Sequence, residues 1–174
     1  MKEIELRAIE PSDIDLIYQW ENDRETWEVS NTLVPFSRHL LEQYIISSVN
    51  SDIYSAKQLR LMIDLIELNQ KKTIGTIDLF DFDPHHSRAG IGILIASEER
   101  GKGYAKLALK ELIIYAFSTL QIHQLYCNIN IKNQQSMKLF TDAGFQCIGV
   151  KKDWLRIQNE YVDECLLQLI NQDF

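Results

Sequence analysis

The sequence predicts a mixed α/β domain, a single and mostly antiparallel sheet with helices set between its strands. Three observations predict it. "IELRAI" and similar short runs alternate apolar and polar residues, the period of a strand with one buried face. Longer runs such as "AKLALKELIIYAF" repeat their apolar residues at helical spacing instead. Polar breaks such as "NQKK" and "QNE" part neighbouring strand-like runs at hairpin distances, while helical stretches part the others.

The elements follow in chain order. "IELRAI" is a first strand. Ser12 is placed to cap a helix running to about Asn22, with Ile14, Ile17 and Tyr18 on one face. Ser37 caps the next helix, where Leu40, Leu41, Tyr44 and Ile45 form the apolar stripe. "LRLMIDLIEL" and "TIGTIDLF" are strands joined by "NQKK", and "DFDPHHSR" is a loop before a strand over Ala89–Ala96. A helix over about 103–118 carries Leu107, Leu109, Leu112, Ile113 and Ala116. "QLYCNINI" is a strand, Asn133 caps the helix "QQSMKLFTDA", and Gly144 ends it. The tail holds two extended runs around "QNE".

At 174 residues, with no repeat, low-complexity tract or linker, the chain reads as one domain over 1–174. "MKEIELRAIEPSD" is charged throughout, so it does not read as a signal peptide. No apolar run approaches the roughly eighteen residues that span a bilayer. Cys127, Cys147 and Cys165 are odd in number and widely spaced, which reads as small hydrophobes in a reducing cytoplasm, neither a disulfide frame nor a metal site. Net charge is −7, unevenly spread: residues 1–83 carry 16 acidic and 8 basic side chains, residues 84–174 carry 9 and 10. That balance argues against nucleic acid as a partner and for an anionic ligand on the later half, with a cationic one on the earlier half. Self-association is left open by the sequence.

"SEERGKGYAKLAL" sets two glycines and flanking basic residues between a strand and a helix, the arrangement that aims backbone N–H groups and a helix dipole at an anion. A Walker loop is excluded, because the glycine spacing and the Lys-Ser/Thr pair are missing. "RGKGYA" fits an Arg/Gln-x-x-Gly-x-Gly/Ala pattern through Arg100, Gly103 and Ala105, and "NQQSMKLFTDAGF" follows downstream. Together, in this order, the two segments resemble the GNAT superfamily of N-acetyltransferases over nearly the whole chain. Within it, "IGTIDLFDFDPHHSRAGIGILI" and "LYCNINIKNQQSMKLF" look most like the bacterial spermidine N-acetyltransferases and their ribosomal-protein-acetylating relatives.

The resemblance implies the GNAT fold, splayed at the strands that bind the donor, and acetyl-CoA as that donor. It implies that Arg100, Gly101, Lys102, Gly103, Tyr104 and Ala105 face the pyrophosphate. The main chain of Ile93, Leu94 and Ile95 would pair with the pantetheine arm, with Asn133 and Phe140 near the cofactor. Two departures stand out. Phe140 occupies the position where many members carry a tyrosine that protonates the departing sulfur, and Gly90 occupies that of a common glutamate. Ser136, one turn before Phe140, is the candidate hydroxyl. Asn130 and Tyr126, which share one face of their strand, are weaker candidates.

A Lys-like amine is only about one part in a thousand neutral near pH 7.4, so acetylation needs a proton acceptor or surroundings that favour the neutral amine. For the acceptor, "ENDRETWEVSN" falls where the family's substrate loop lies. It combines Glu21, Asp23, Glu25 and Glu28 with Trp27 and the preceding Trp20, and Asp78, Asp81 and Asp83 form a second acidic set. Carboxylates beside aromatic faces suit a polyamine or another small cationic amine. The competing readings are an acetyltransferase of protein N-termini and a CoA-binding module without turnover. His85 and His86 read as surface residues, not metal ligands.

Overall fold

The computed structural model describes residues 3–30, 32–68 and 70–172, the side chains of residues 28 and 29 excepted. Seven strands form one sheet in the order β1-β2-β3-β4-β5-β7-β6. They are β1 (Glu3–Ala8), β2 (Leu59–Glu67), β3 (Gln70–Asp83), β4 (Arg88–Ile95), β5 (Gln124–Asn130), β6 (Gln146–Ile157) and β7 (Glu160–Ile170). Every neighbouring pair is antiparallel except β4 and β5. Those two run parallel and pair only at Arg88–Gln124, Ala89–Leu125 and Gly90–Tyr126. Beyond that point they part, leaving a seam in the middle of the sheet.

Helices cover both faces, because alternate residues on each strand feed different cores. Ile63, Ile77, Ile91, Leu125 and Leu167 pack under α5 (Tyr104–Ser118) and α6 (Gln134–Asp142). Met62 and Leu94 lie on the other face with α1 (Ile14–Glu21) and α3 (Arg38–Val49). On α1 the buried residues are Ile17 and Trp20, with Tyr18 turned outward. On α3 they are Leu41 and Ile45, while Leu40 is exposed. On α5 they are Tyr104, Ala108, Leu109, Leu112 and Ala116, with Leu107 at the rim.

Several expectations hold at their caps. Ser37 accepts a hydrogen bond from the Leu40 N–H, Asn133 accepts one from the Ser136 N–H, and Gly144 closes α6 at φ +96°. Others are corrected. Ser12 caps nothing; the entry to α1 is a 3₁₀ turn over Pro11–Asp13, fixed by a reciprocal Glu10–Asp13 box. Two helices lie in stretches with no periodic signal: α2 (Arg24–Ser30) and the single turn α4 (Ile53–Ala56), capped by Asp52. The reading of three unpaired cysteines is also overturned. Cys147 and Cys165 are joined as a disulfide with Cα atoms 6.4 Å apart, leaving Cys127 as the free thiol. The sequence hides this pairing because it depends on how β6 and β7 align: Cys147 is opposite Leu167, two residues along β7 from Cys165. It removes the cysteine-based ground for expecting a reducing compartment.

Candidate active site

The seam ends at a turn built from backbone. Gly101 (φ +74°) and Gly103 (φ +85°) occupy the left-handed region, and a Cβ on either would meet nothing within 4 Å. Gly103 is the N-cap of α5 and supplies no side-chain cap, so the helix opens with its positive dipole end toward an uncrowded turn. The local conformation, not crowding inside the protein, requires glycine here. The basic residues hold the turn in place. The Arg100 Nε donates to the Ile95 carbonyl at 3.0 Å, tying the turn to the end of β4, and its Nη1 lies 3.6 Å from Glu25 on α2. Lys102 and Lys72 both donate to the buried Glu99, at 2.9 and 2.6 Å, and their hydrogen bonds keep its carboxyl below the usual range.

Ile93, Leu94 and Ile95 lie on β4 beyond its last pairing with β5, so the rim of the seam is their main chain. One residue beneath them was missed in the sequence. A Cβ on Gly75 would fall 2.1 Å from the Leu94 carbonyl oxygen, so glycine is what lets β3 lie flush under β4. The available signal was a lone glycine inside a strand pattern.

On the α1–α3 face, the sequence-predicted carboxylates are held by different partners. Asp78 accepts two hydrogen bonds from Arg60, at 2.7 and 3.0 Å, and Arg60 also donates to Glu21 at 2.6 Å. The guanidinium sits 5.2 Å from the Tyr44 ring centroid, and Tyr44 in turn accepts from Gln58 at 3.0 Å. Burial opposes the Arg60 charge, but Asp78, Tyr44 and Glu21 outweigh it and hold its pKa above the ordinary value. Two carboxylates against one guanidinium leave this part of the floor net negative. Glu21 was among the acidic residues read from the sequence, but Arg60 and its pairing with Glu21 and Asp78 were not, since the partners lie 39 and 18 residues from Arg60. Glu28 lies on α2, but its side chain is outside the described residues.

Gly90 is explained by its neighbour. It pairs with Phe80 across β3 and β4, and a Cβ on Gly90 would lie 2.3 Å from that ring. Phe80 therefore fills the space a side chain at position 90 would need. Its ring meets Tyr126 edge-on, with centroids 6.0 Å apart. The chain then makes a bulge, Asp81 turns to φ +48°, and its carboxylate acts electrostatically on the Tyr126 hydroxyl. Burial first, then the Asp81 charge, push the Tyr126 phenol above its usual pKa.

At the far end of β5, the Asn130 side chain accepts from the Lys132 N–H at 2.9 Å, and Ser136 sits half-buried in the first turn of α6. Phe140 is 3% exposed and meets Phe145 edge-on at 5.1 Å, so it contributes packing and no proton. Cys127 is buried on the α5 face, where desolvation pushes its thiol up to about 12. His85 and His86 meet edge-on with centroids 4.6 Å apart, and their backbone N–H groups both donate to Asp83. Among the described residues no group of His, Cys, Asp or Glu side chains could hold a metal ion, and no helix is long and apolar enough to cross a membrane.

Comparison with known proteins agrees with this geometry. Residues 3–146 match the acetyltransferase (GNAT) domain. The chain is 26% identical to the spermidine N(1)-acetyltransferase of Vibrio cholerae, over 92% of its own length and 89% of that protein's. It is 27% identical to the [ribosomal protein uS5]-alanine N-acetyltransferase of Escherichia coli, over 91% and 89%. A crystal structure of the Vibrio cholerae spermidine N-acetyltransferase, in complex with CoA and spermine, superposes with a TM-score of 0.88. It is 24% identical, with 97% of this chain and 95% of that one covered.

Proposed function

The chain belongs to the GNAT acetyltransferase family, and from that premise we propose that it moves an acetyl group from acetyl-CoA to a primary amine of a small polycation, a polyamine. The carrying observation is the seam between β4 and β5, which runs from an acidic floor to a glycine turn at the N-terminus of α5. The turn fits an anionic donor: its glycines leave open space, and its amides from Arg100 to Ala105 stand at a positive helix end. Arg100 and Lys102 add charge there while anchoring the turn. Ile93, Leu94 and Ile95 offer along the rim a main-chain edge with no β5 partner, and Asn133 and Phe140 are assigned to the opposite wall. Acetyl-CoA supplies the thioester; the protein supplies orientation, a place for the amine and a route for its proton.

The acceptor side is read from charge. Asp78 and Glu21 outnumber Arg60, and Glu25 and Asp81 add further carboxylates, which suits a substrate with several positive charges. Likeness to a spermidine N(1)-acetyltransferase over nearly the whole chain supports the same class. Ser136 and Asn130 are assigned as polar groups near the departing sulfur, in place of the hydroxyl that Phe140 lacks. The exposed apolar residues Ile148, Val150 and Trp154 on β6, at the sheet edge, fit association with a second copy. A second reading, acetylation of a protein N-terminus, is favoured by the likeness to the uS5-alanine enzyme.

One screen separates these readings: CoA release measured with spermidine, spermine, an aminoglycoside and peptides bearing free N-termini. Turnover fastest with the polyamines is expected. Faster turnover of a peptide moves the second reading ahead, and CoA binding without release from any amine leaves a binding module.

A further inference from the structure

We propose that Asp81 and Tyr126 form the proton-accepting pair that neutralises the attacking amine. This rests on the acetyltransferase reading above and names residues for a step that reading leaves unassigned.

The pair is placed where the sheet opens. Tyr126 is opposite Gly90, the last pairing between β4 and β5 before the seam. Directly opposed residues share a face of a sheet, so Phe80, Gly90 and Tyr126 lie on one side. Their neighbours Leu79, Ala89, Ile91, Leu125 and Cys127 belong to the core under α5. Tyr126 therefore faces the acidic floor and not the α5 core. Asp81 should not. In a regular strand it would follow Leu79 into the α5 core and send Phe82 to the acceptor face. The opposite is seen: Phe82 is buried in the α5 core, which leaves Asp81 on the acceptor side, where its charge acts on Tyr126. The bulge between Phe80 and Asp83 makes that exchange, at the cost of a non-glycine residue in the left-handed region. A strand that deforms to bring a carboxylate to the mouth of a seam is a local strain with a chemical use.

The other carboxylates near the floor are committed. Asp78 takes two hydrogen bonds from Arg60, Glu164 is paired with Lys151 at 2.8 Å, and Asp83 faces Arg88 at 3.2 Å. Asp81 has no ion-pair partner among the described residues. Phe80 closes the space above Gly90, so a proton acceptor must reach in from the side, as Tyr126 does.

The protons balance. The Tyr126 oxygen takes one proton from the ammonium while its own hydroxyl proton passes to Asp81, leaving a neutral amine, a tyrosine and a carboxylic acid. The amine nitrogen bonds to the acetyl carbon, the carbon–sulfur bond breaks, and the second N–H proton ends on the sulfur. Asp81 then returns its proton to water.

The test is the pH dependence of kcat/KM for spermidine, in the wild type and in Asp81→Asn and Tyr126→Phe. The charged groups facing the pair are Arg88 on β4 and the Arg60–Asp78–Glu21 set beside Gly92. Arginine and carboxylate side chains do not ordinarily titrate between pH 7 and 9. Each variant should lose about 100-fold at pH 7, the lower end for a general base, with the acetyl-CoA KM within about twofold. The loss should shrink by about tenfold per pH unit as the free amine appears in solution. The double variant should be little worse than either single one, since the two residues act as a unit. Asp81→Gly, which suits the left-handed backbone, should repeat the result if Asp81→Asn folds poorly. A loss of equal size at every pH would mean a structural role, and an unchanged rate would remove the pair from the chemistry. Either result overturns this inference and leaves the acetyltransferase reading standing, whereas a wild type that acetylates no amine overturns both.

Discussion

The two sides of the seam are built from different materials. On the donor side the working surface is main chain: a β4 rim, a glycine turn and a helix end, with side chains such as Glu99 and Arg100 serving as anchors. On the acceptor side the surface is side chain: Arg60, Asp78 and Glu21 in one network, Phe80, Tyr126 and Asp81 in another. A main-chain site tolerates exchange of most of its residues and fails when the backbone is forced elsewhere. A side-chain site fails when one partner is removed, and it can be rewired from protein to protein.

That contrast can be broken most directly at Arg60. Arg60→Met leaves Asp78 and Glu21 facing each other without a cation, and losing one partner of a buried pair costs about 3–5 kcal/mol. Urea unfolding should show a loss near the lower figure, since the three side chains are 15–19% exposed; a stability change under about 1 kcal/mol would mean water already screens the network.

Next in size is Gly103→Val. Its φ of +85° is costly for any side chain, about 1–2 kcal/mol per residue in the left-handed region. CoA affinity measured by calorimetry should fall by roughly 5–30-fold if that strain is released by moving the turn. Lys102→Ala should cost less than Gly103→Val if the surface is truly backbone. The opposite order would make this a side-chain site after all.

A smaller effect is expected at Phe140. Phe140→Tyr should raise kcat by about tenfold with the acetyl-CoA KM unchanged, below the usual range for a general acid because a thiol is already a fair leaving group. No gain in a folded variant would mean that Ser136, Asn130 or water already protonates the sulfur.

The mildest test uses acid. Burial works to raise the Asp13 pKa, but its hydrogen bonds with Arg7 and the Glu10 N–H prevail and hold it below the ordinary value. Asp64, beside Arg7 and Lys71, is lowered in the same balance. Both contributions are therefore complete above the unfolded carboxylate pKa near 4 and are lost as pH falls below it. Arg7→Met should flatten that acid limb in a stability-versus-pH series, and an unchanged limb would place its origin elsewhere.

The same contrast governs what could be read from the sequence. Glycines that need a left-handed backbone, and Ser37 or Asn133 as helix caps, announce themselves locally, so the turn, the strands and most helices were legible. The acceptor side was not. Which carboxylate faces which cation depends on strand register, and the side Asp81 takes depends on a one-residue bulge. The helix over Arg24–Ser30 escaped because "RETWEVS" is too short and too polar to show a period. The disulfide escaped because it depends on which residues of β6 and β7 come opposite one another, and that alignment is not local.

The seam also makes the sheet a pair of leaves. One leaf is β1–β4, the other β5, β7 and β6, and only three residue pairs stitch them at one end. Amide hydrogens along the free rims, Ile91–Ile95 and Cys127–Asn130, have lost a neighbouring strand on the inner side, so deuterium should enter there early. A donor lying along those rims would act as a clasp. Part of its binding energy would then appear as slower exchange on both leaves and a higher melting temperature, in proportion to the logarithm of donor concentration over Kd.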